Sequence, residues 1–157
     1  MSAKQAFRLT TALLDQSALR QYIRQGLGAM RNRDVDLIAE AERVTVADSI
    51  DLDAAMRRER PQANRWDYLV SVPAALSVVG IEPHTAKDSE ITVVIAKRAE
   101  ALAYLRDHLR TGHRVARWLW VSSGKVGFSA MERARRRLAQ KGIEFVGREV
   151  RRLGGGE

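Results

Sequence analysis

Two acidic residues near the middle of the chain, Asp67 and Glu82, have a spacing that can bring their side chains together. Asp67 lies in a stretch of alternating apolar and polar residues that begins at Trp66, and Glu82 lies in a second apolar stretch that begins at Ser77. Such alternation is typical of half-buried β-strands, and Pro73 ends the first strand because it cannot donate to a ladder. A hairpin of these strands can therefore place both carboxylates at one end of a sheet.

The register of this hairpin decides whether the two acids meet. A connection over residues 73–76 pairs Val72 with Ser77 and carries Asp67 across to Glu82. In this register the large apolar side chains share one face: Trp66, Tyr68, Val70, Val72, Val79 and Ile81. Burial of such side chains is worth about 1.5–3 kcal/mol each. A three-residue connection would divide them between two faces, so we expect the four-residue connection.

Carboxylates that converge at a strand end are suitable ligands for a hard divalent cation. One or two carboxylates are enough for Mg²⁺, because water and substrate phosphate complete its shell. We therefore predict Asp67 and Glu82 as ligands of Mg²⁺ or Mn²⁺, which can activate water towards a phosphodiester. His84 shares the strand face of Glu82 and is a candidate base, metal ligand or phosphate contact. The alternative is a pair of structural carboxylates, solvated or paired with Arg65.

The remaining elements are predicted from apolar spacing and capping residues. Amphipathic helices are expected within residues 3–27 and 35–44, and a first strand at 44–46. Asp51 is expected to cap a helix through Arg58, although one of the nearby acids Asp48, Asp51 and Asp53 can instead join the metal site. A helix that Asp88 or Ser89 caps is predicted to about residue 110, although its β-branched start over 91–95 leaves the first turn open to a strand. A strand is predicted over 115–122, a helix over 129–141 and a short strand over 143–146. His108 and His113 are expected at the surface.

This order predicts a single domain over residues 1–157 of the α/β class, a three-layer mixed sheet with flanking helices. Its core is expected at about residues 44–146, preceded by a helical N-terminal region and followed by a flexible basic tail, 148–157. In the strand at 115–122, Trp118 and Trp120 are expected on one face, with Leu119 and Val121 on the other.

The acidic hairpin followed by a helix and a strand resembles the core of the PD-(D/E)xK, or restriction-endonuclease-like, nucleases over roughly residues 44–122. The resemblance implies that Asp67 is the first acid, Glu82 the second, and that His84 stands where the family has lysine. Trp66 replaces the proline that precedes the family's first acid. Lys87 or Lys97, from the helical segment that follows, would then supply the missing ammonium, and we take Lys97 as a candidate catalytic residue. The stretch from Arg65 to Ala86 also resembles a group of uncharacterised bacterial proteins, which implies no activity.

Charge predicts a polyanionic partner. The formal net charge is +8, and nucleic acid is the commonest polyanion in a cell. Candidate contacts lie on the predicted C-terminal helix: Arg133, Arg136, Arg137 and Lys141. The alternatives are a solvated helix face, a non-catalytic module with a degenerate site that binds nucleic acid or protein, and a basic face for an acidic protein.

The chain has no cysteine, which excludes disulfides, zinc fingers and thiol catalysis. No apolar run approaches the roughly 20 residues of a membrane helix, and polar residues interrupt the N-terminus where a signal peptide would be apolar. We therefore expect a cytoplasmic protein that does not enter membranes, and a homodimer is compatible with the sequence.

Overall fold

The centre of the molecule is a six-stranded mixed β-sheet, seen in a computed structural model that describes residues 7–154. The strands are β1 (Ile23–Gln25), β2 (Asp48–Asp51), β3 (Tyr68–Val72), β4 (Ser77–Lys87), β5 (Val115–Gly127) and β6 (Glu144–Phe145). They lie side by side in chain order. β1 to β4 pair antiparallel, and β5 and β6 continue the sheet in parallel. This open mixed sheet confirms the predicted α/β class.

Helices flank the sheet and connect its strands. The α-helices are α1 (Leu9–Ala12), α2 (Asn32–Val35), α3 (Glu40–Arg43), α4 (Leu52–Glu59), α5 (Ile91–Leu105) and α6 (Met131–Gln140). Short 3₁₀ turns cover Ala18–Tyr22, Pro73–Ala75 and Asp88–Glu90. Parallel strands need a crossover, and α5 and α6 provide the two crossovers that lead to β5 and β6. No helix within residues 7–154 has the length and apolar character needed to cross a bilayer.

Each face of the sheet has its own apolar core. On one face Trp118 and Trp120 pack with buried side chains of α1, α4, α5 and α6. On the other face Leu119 and Val121 pack with buried residues from the irregular segments that precede β2 and follow β6. The predicted division of β5 between two faces is confirmed, because both faces are covered.

Trp66 differs from the expected arrangement. It precedes β3, which begins at Tyr68, and therefore does not follow the alternation of that strand. Its ring lies in the core with Trp118, edge to face at a centroid distance of 5.1 Å. The expected shared face is wrong for Trp66 and holds for the other members of the set: Tyr68, Val70, Val72, Val79 and Ile81.

The N-terminal region is less helical than predicted. Of residues 7–27, only α1 and one 3₁₀ turn are helical, and Ile23–Gln25 forms an edge strand because it pairs with β2. Residues 3–6 lie outside the described part. The helix expected over 35–44 is replaced by the single-turn helices α2 and α3. The strand expected at 44–46 is β2, which begins later, at Asp48, and Val44 is 86% exposed.

The basic C-terminal segment packs onto the molecule, whereas we expected a flexible tail over 148–157. Val150 and Leu153 are fully buried. Val150 donates its N–H to the Leu37 carbonyl (2.8 Å), and Leu153 donates its N–H to Glu42 Oε1 (2.8 Å). Two apolar side chains between arginines are thus enough to hold residues 148–154, and the core extends beyond the expected limits of 44 and 146. Residues 155–157 lie outside the described part.

Candidate functional site

The β3–β4 hairpin brings Asp67 and Glu82 together in the predicted register. Val72 pairs with Ser77 and Tyr68 with Ile81, so the next position joins the two acids. Glu82 Oε1 accepts the backbone N–H of Asp67 at 2.8 Å. The connection over residues 73–76 is a 3₁₀ turn that ends at Leu76 in the left-handed conformation (φ 50°). The predicted hairpin is therefore confirmed.

Glu82 is fully buried and forms an ion pair with a lysine of α5. Its Oε2 accepts Lys97 Nζ of α5 at 2.6 Å. Burial opposes the charged form of Lys97, but the charge of Glu82 and this hydrogen bond outweigh burial, and the pKa of Lys97 is raised. Lys97 therefore stays an ammonium at neutral pH, next to the two acids of the hairpin.

His84 lies between two carboxylates. Its Nε2 is 2.6 Å from Glu90 Oε1, and its Nδ1 is 3.4 Å from Glu82 Oε2. The hydrogen bond to Glu82 raises the pKa of His84, burial opposes this, and the bond to Glu90 raises it further. The same contact lowers the pKa of Glu90. This arrangement favours the imidazolium, which suits charge neutralisation or a phosphate contact better than proton abstraction.

Asp67 has a different environment from Glu82. Within residues 7–154, no hydrogen bond or ion pair reaches its carboxylate oxygens; only its backbone groups are bonded. Burial, followed by the charge of Glu82, raises the pKa of Asp67 to about 8, against a smaller opposing effect of Lys97. A carboxyl group held in this way gains from a cation that balances its charge.

A cavity of about 420 Å³ opens beside Asp67. Its lining includes Asp51 and Asp53 from the β2–α4 junction. Asp51 accepts the N–H of Ala54 at 2.9 Å and caps α4, as predicted. Asp53 is paired with Arg57 (2.6 Å) and Arg65 (2.8 Å), so the expected alternative that Arg65 pairs with the hairpin acids is replaced by pairing with Asp53. Asp48 is not at the cavity, since its carboxylate accepts from Leu9 N–H and the Ser71 hydroxyl.

Few ligands among the described residues are available to a metal ion near Asp67 and Glu82. Within residues 7–154 no three His, Asp or Glu side chains form a group that could hold a metal ion. Mg²⁺ nevertheless accepts one or two carboxylates with water. Asp67 has free oxygens towards the cavity, and a carboxylate has about four acceptor positions, of which Glu82 uses three. Glu82 does not line the cavity, so a cation there would be held mainly by Asp67 and by water.

The basic helix lies away from this cavity. Arg133, Arg136 and Arg137 of α6 and the following Lys141 are exposed, while Ala134 and Leu138 are buried. α6 packs against α5 and β6. Since β6 is at the edge of the sheet and the acids lie on β3 and β4, none of the four basic residues lines the cavity.

Sequence reasoning missed several residues of the cavity, including Arg31, Arg33 and Asp34. They lie at and just after the start of the single-turn helix α2, more than 30 residues before Asp67. A helix of one turn is too short to show a period and gives no signal for its position relative to a distant strand, so these residues could not have been found from spacing.

His108 is buried, contrary to the surface position we expected. Its Nδ1 lies 2.7 Å from Ser17 Oγ, and its ring stacks on Tyr104 at 4.4 Å. Ser17 Oγ also accepts the N–H of Leu19 and caps the first 3₁₀ turn. The Ser17 hydroxyl therefore has a structural role, because it caps this turn and is hydrogen-bonded to His108.

Comparisons of the chain with protein-family models, with curated proteins and with solved structures found no match. Functional inference therefore depends on the geometry of the hairpin acids, Lys97 and the cavity.

Proposed function

We propose that the protein is a metal-dependent nuclease with a restriction-endonuclease-like core. The observation that carries the proposal is that Glu82 contacts both Lys97 Nζ, at 2.6 Å from Oε2, and the backbone N–H of Asp67, at 2.8 Å from Oε1. Two carboxylates and an ammonium are the groups that the PD-(D/E)xK resemblance implies. The order of antiparallel hairpin, helix α5 and parallel strand β5 supports it as well.

Asp67 and Glu82 would hold Mg²⁺ or Mn²⁺ beside the cavity. When bound, the metal would supply an activated water and neutralise charge on the phosphodiester. Lys97 is protonated, so it would stabilise the charge that develops on the phosphoryl oxygens rather than remove a proton. It would come from the helix and replace the lysine that the resemblance implies at the position of His84.

His84 would complete the positive surroundings of the reacting phosphate. Its contacts with Glu82 and Glu90 favour the protonated ring, so we assign it a phosphate contact and not the role of base. The exposed residues Arg133, Arg136, Arg137 and Lys141 would attract the nucleic-acid backbone over a longer range, and binding should then weaken with salt.

Labelled single- and double-stranded DNA and RNA, each with Mg²⁺, Mn²⁺ or EDTA, test this proposal. We expect metal-dependent cleavage that falls at least about 100-fold in Asp67→Asn and Glu82→Gln, because each variant removes a charge that holds the metal. Asp107→Asn, an exposed acid at the end of α5, is the matched control and should cleave like the wild type. Circular dichroism checks that all variants are folded. Cleavage that persists in EDTA or in both site variants would refute the proposal.

A non-catalytic module that binds nucleic acid is the second candidate. The observation in its favour is that protein donors contact both Glu82 oxygens, through Asp67 N–H, Lys97 and His84. Retention of a labelled strand at low salt, without cleavage under any metal condition, would favour this module over the enzyme.

A further inference from the structure

The cavity beside Asp67 has a basic side as well as an acidic one. Arg31 and Arg33 line it together with Asp34, Asp51 and Asp67. Both arginines are exposed. Within residues 7–154 neither guanidinium takes part in an ion pair or a side-chain hydrogen bond. Two unpaired cations therefore face a cavity in which aspartates are close by.

Apart from Asp67, the acids that line the cavity already have other partners. Asp53 is paired with two other arginines, at 2.6 and 2.8 Å. Asp51 accepts a backbone N–H of α4 at 2.9 Å, and Asp34 accepts the Tyr68 hydroxyl at 2.6 Å. Arg31 and Arg33 are thus left with their donors available to an anion from outside the protein.

The segment that carries these arginines is fixed to the hairpin. The N–H of Arg31 donates to Tyr68 Oη at 3.4 Å, and Tyr68 follows Asp67 directly in the chain. The N–H of Ala29 donates to Ser49 Oγ of β2 at 3.0 Å. These contacts hold Arg31 and Arg33 at a set position relative to Asp67, which a binding site for an extended ligand requires.

We propose that Arg31 and Arg33 bind phosphate groups of the polynucleotide strand that passes Asp67, next to the phosphodiester that reacts. This inference rests on the proposed nuclease function and identifies the residues that hold its substrate. A guanidinium donates two parallel hydrogen bonds to a phosphate, so each arginine can take one phosphate of the strand. The basic side of the cavity then compensates the repulsion between the strand and the aspartates.

The test compares Arg31→Gln/Arg33→Gln with a control that removes the same charge elsewhere, Arg106→Gln/Arg114→Gln. Arg106 and Arg114 are exposed and unpaired within the described part of the chain. Arg114 precedes Val115, which pairs with Val78, whereas Glu82 pairs with Trp120 further along the sheet. The control arginine Arg114 therefore lies towards the opposite end of β5 from the acids.

Fluorescence anisotropy in EDTA measures the affinity for the strand that the wild type cleaves or retains, over a range of salt concentrations. We expect the Arg31/Arg33 variant to bind at least about 10-fold more weakly. The slope of its log affinity against log salt concentration should be smaller in magnitude by about 1.4–1.8. Each of the two lost phosphate contacts removes about 0.7–0.9 from this slope. The control should bind within about threefold of the wild type with a nearly unchanged slope. In Mg²⁺, KM should rise about 10-fold and kcat should stay within about twofold.

Two outcomes overturn the inference and are distinguishable. If the wild type cleaves and the Arg31/Arg33 variant binds and cleaves like the control, the arginines are not substrate contacts and the nuclease proposal stands. If the wild type neither binds nor cleaves any of the nucleic acids, the nuclease proposal fails and this inference fails with it. Equal unfolding midpoints of both variants in urea show that a difference in binding is not a difference in folding.

Discussion

Glu82 and Lys97 form an ion pair in a place where neither charge can be left alone. Glu82 is fully buried, and the Lys97 side chain is only 16% exposed. Removal of one member of a buried pair is costly because the other charge stays buried without its partner. The pair is thus a structural requirement as well as a candidate catalytic element.

We expect Lys97→Met to lower the free energy of unfolding by about 3 kcal/mol, since it leaves the buried Glu82 carboxylate without its ammonium partner and with only His84, at 3.4 Å, as a cationic neighbour. Glu82→Gln/Lys97→Met should recover a large part of this loss, because the amide oxygen can still accept the N–H of Asp67. Urea unfolding at pH 7 measures both. A loss below about 0.5 kcal/mol in the single variant would contradict the assigned pairing.

Asp67 makes folding depend on pH in the opposite direction from an ordinary paired carboxylate. Its pKa is about 8 in the folded chain and 3.8 as the ordinary value. Between these values the unfolded chain releases a proton that the folded chain retains, so stability falls as pH rises and levels off above about pH 8. The stability that the protonated Asp67 carboxyl group contributes is fully present only below about pH 4.

Replacement of Asp67 by Asn should remove this fall. We compare the free energy of unfolding of Asp67→Asn with that of the wild type, both in EDTA. The variant minus wild-type difference should increase by roughly 2–5 kcal/mol between pH 4 and pH 8, because each unit of difference between the folded and unfolded pKa is worth about 1.4 kcal/mol. Urea unfolding at four pH values measures the difference. A flat difference for Asp67→Asn would contradict the raised pKa of the Asp67 carboxyl group.

At the residue scale, the sequence predicted the acids and Lys97 but not their surroundings. Parity and apolar faces determine the register that joins Asp67 to Glu82, so strand periodicity was sufficient. The partners Glu90 and Asp34 depend on side-chain directions in turns and loops. Such directions have no period in the sequence.

Among the elements, the β3–β4 hairpin has a strict packing requirement at Gly80. A Cβ on Gly80 would lie 2.9 Å from Trp118 Cε3 and 3.0 Å from Trp66 Nε1. Both tryptophans are buried and in contact edge to face, so neither can move away freely. The absence of a side chain at residue 80 therefore allows the indole pair to lie against the hairpin that carries the acids.

We expect Gly80→Ala to lower the free energy of unfolding by about 1–3 kcal/mol through this overpacking. It should also change the near-ultraviolet circular dichroism of the tryptophans. Gly124→Ala is the matched control, because a Cβ at residue 124 would meet no atom within 4 Å. Unfolding in urea compares the two, and equal stabilities would contradict the contact between Gly80 and the indoles.

The elements that the sequence predicted best are those with a long, clear period. α5 and β5 begin at or within a few residues of their expected starts. α5 ends at Leu105, before the expected end near 110, and β5 extends to Gly127, beyond the expected end at 122. The prediction for the N-terminal region was wrong because its apolar residues belong to three short elements, a one-turn helix, a 3₁₀ turn and an edge strand. Spacing over such short pieces cannot distinguish helical from extended structure.

At the scale of the whole molecule, segments from both ends of the described chain complete the two cores. Leu13 bridges to Leu109 and Ile38 to Val150. Leu153 is fully buried, and Arg117 donates to its carbonyl oxygen at 3.0 Å. The C-terminal segment is thus part of the cover over one face of the sheet.

We expect Leu153→Ala to lower the free energy of unfolding by about 2–4 kcal/mol, because it leaves a cavity under this cover. Arg151→Ala, a change two residues away at a side chain that is 87% exposed, should stay within about 0.5 kcal/mol. Thermal and urea unfolding measure both. A loss for Leu153→Ala no larger than that of the control would mean that the segment does not cover the core in solution.

The hydrogen bond between Leu153 and Glu42 joins positions 111 residues apart. On a ribosome that adds about 5–20 residues per second, roughly 6–22 s separate the synthesis of these partners. During this interval the apolar face beneath Ile38 lacks the C-terminal segment that covers it. The neighbouring strands of the hairpin can already pair. The nascent chain therefore passes through a period in which chaperones can bind this face, and the face is closed only after the segment around Leu153 has been made.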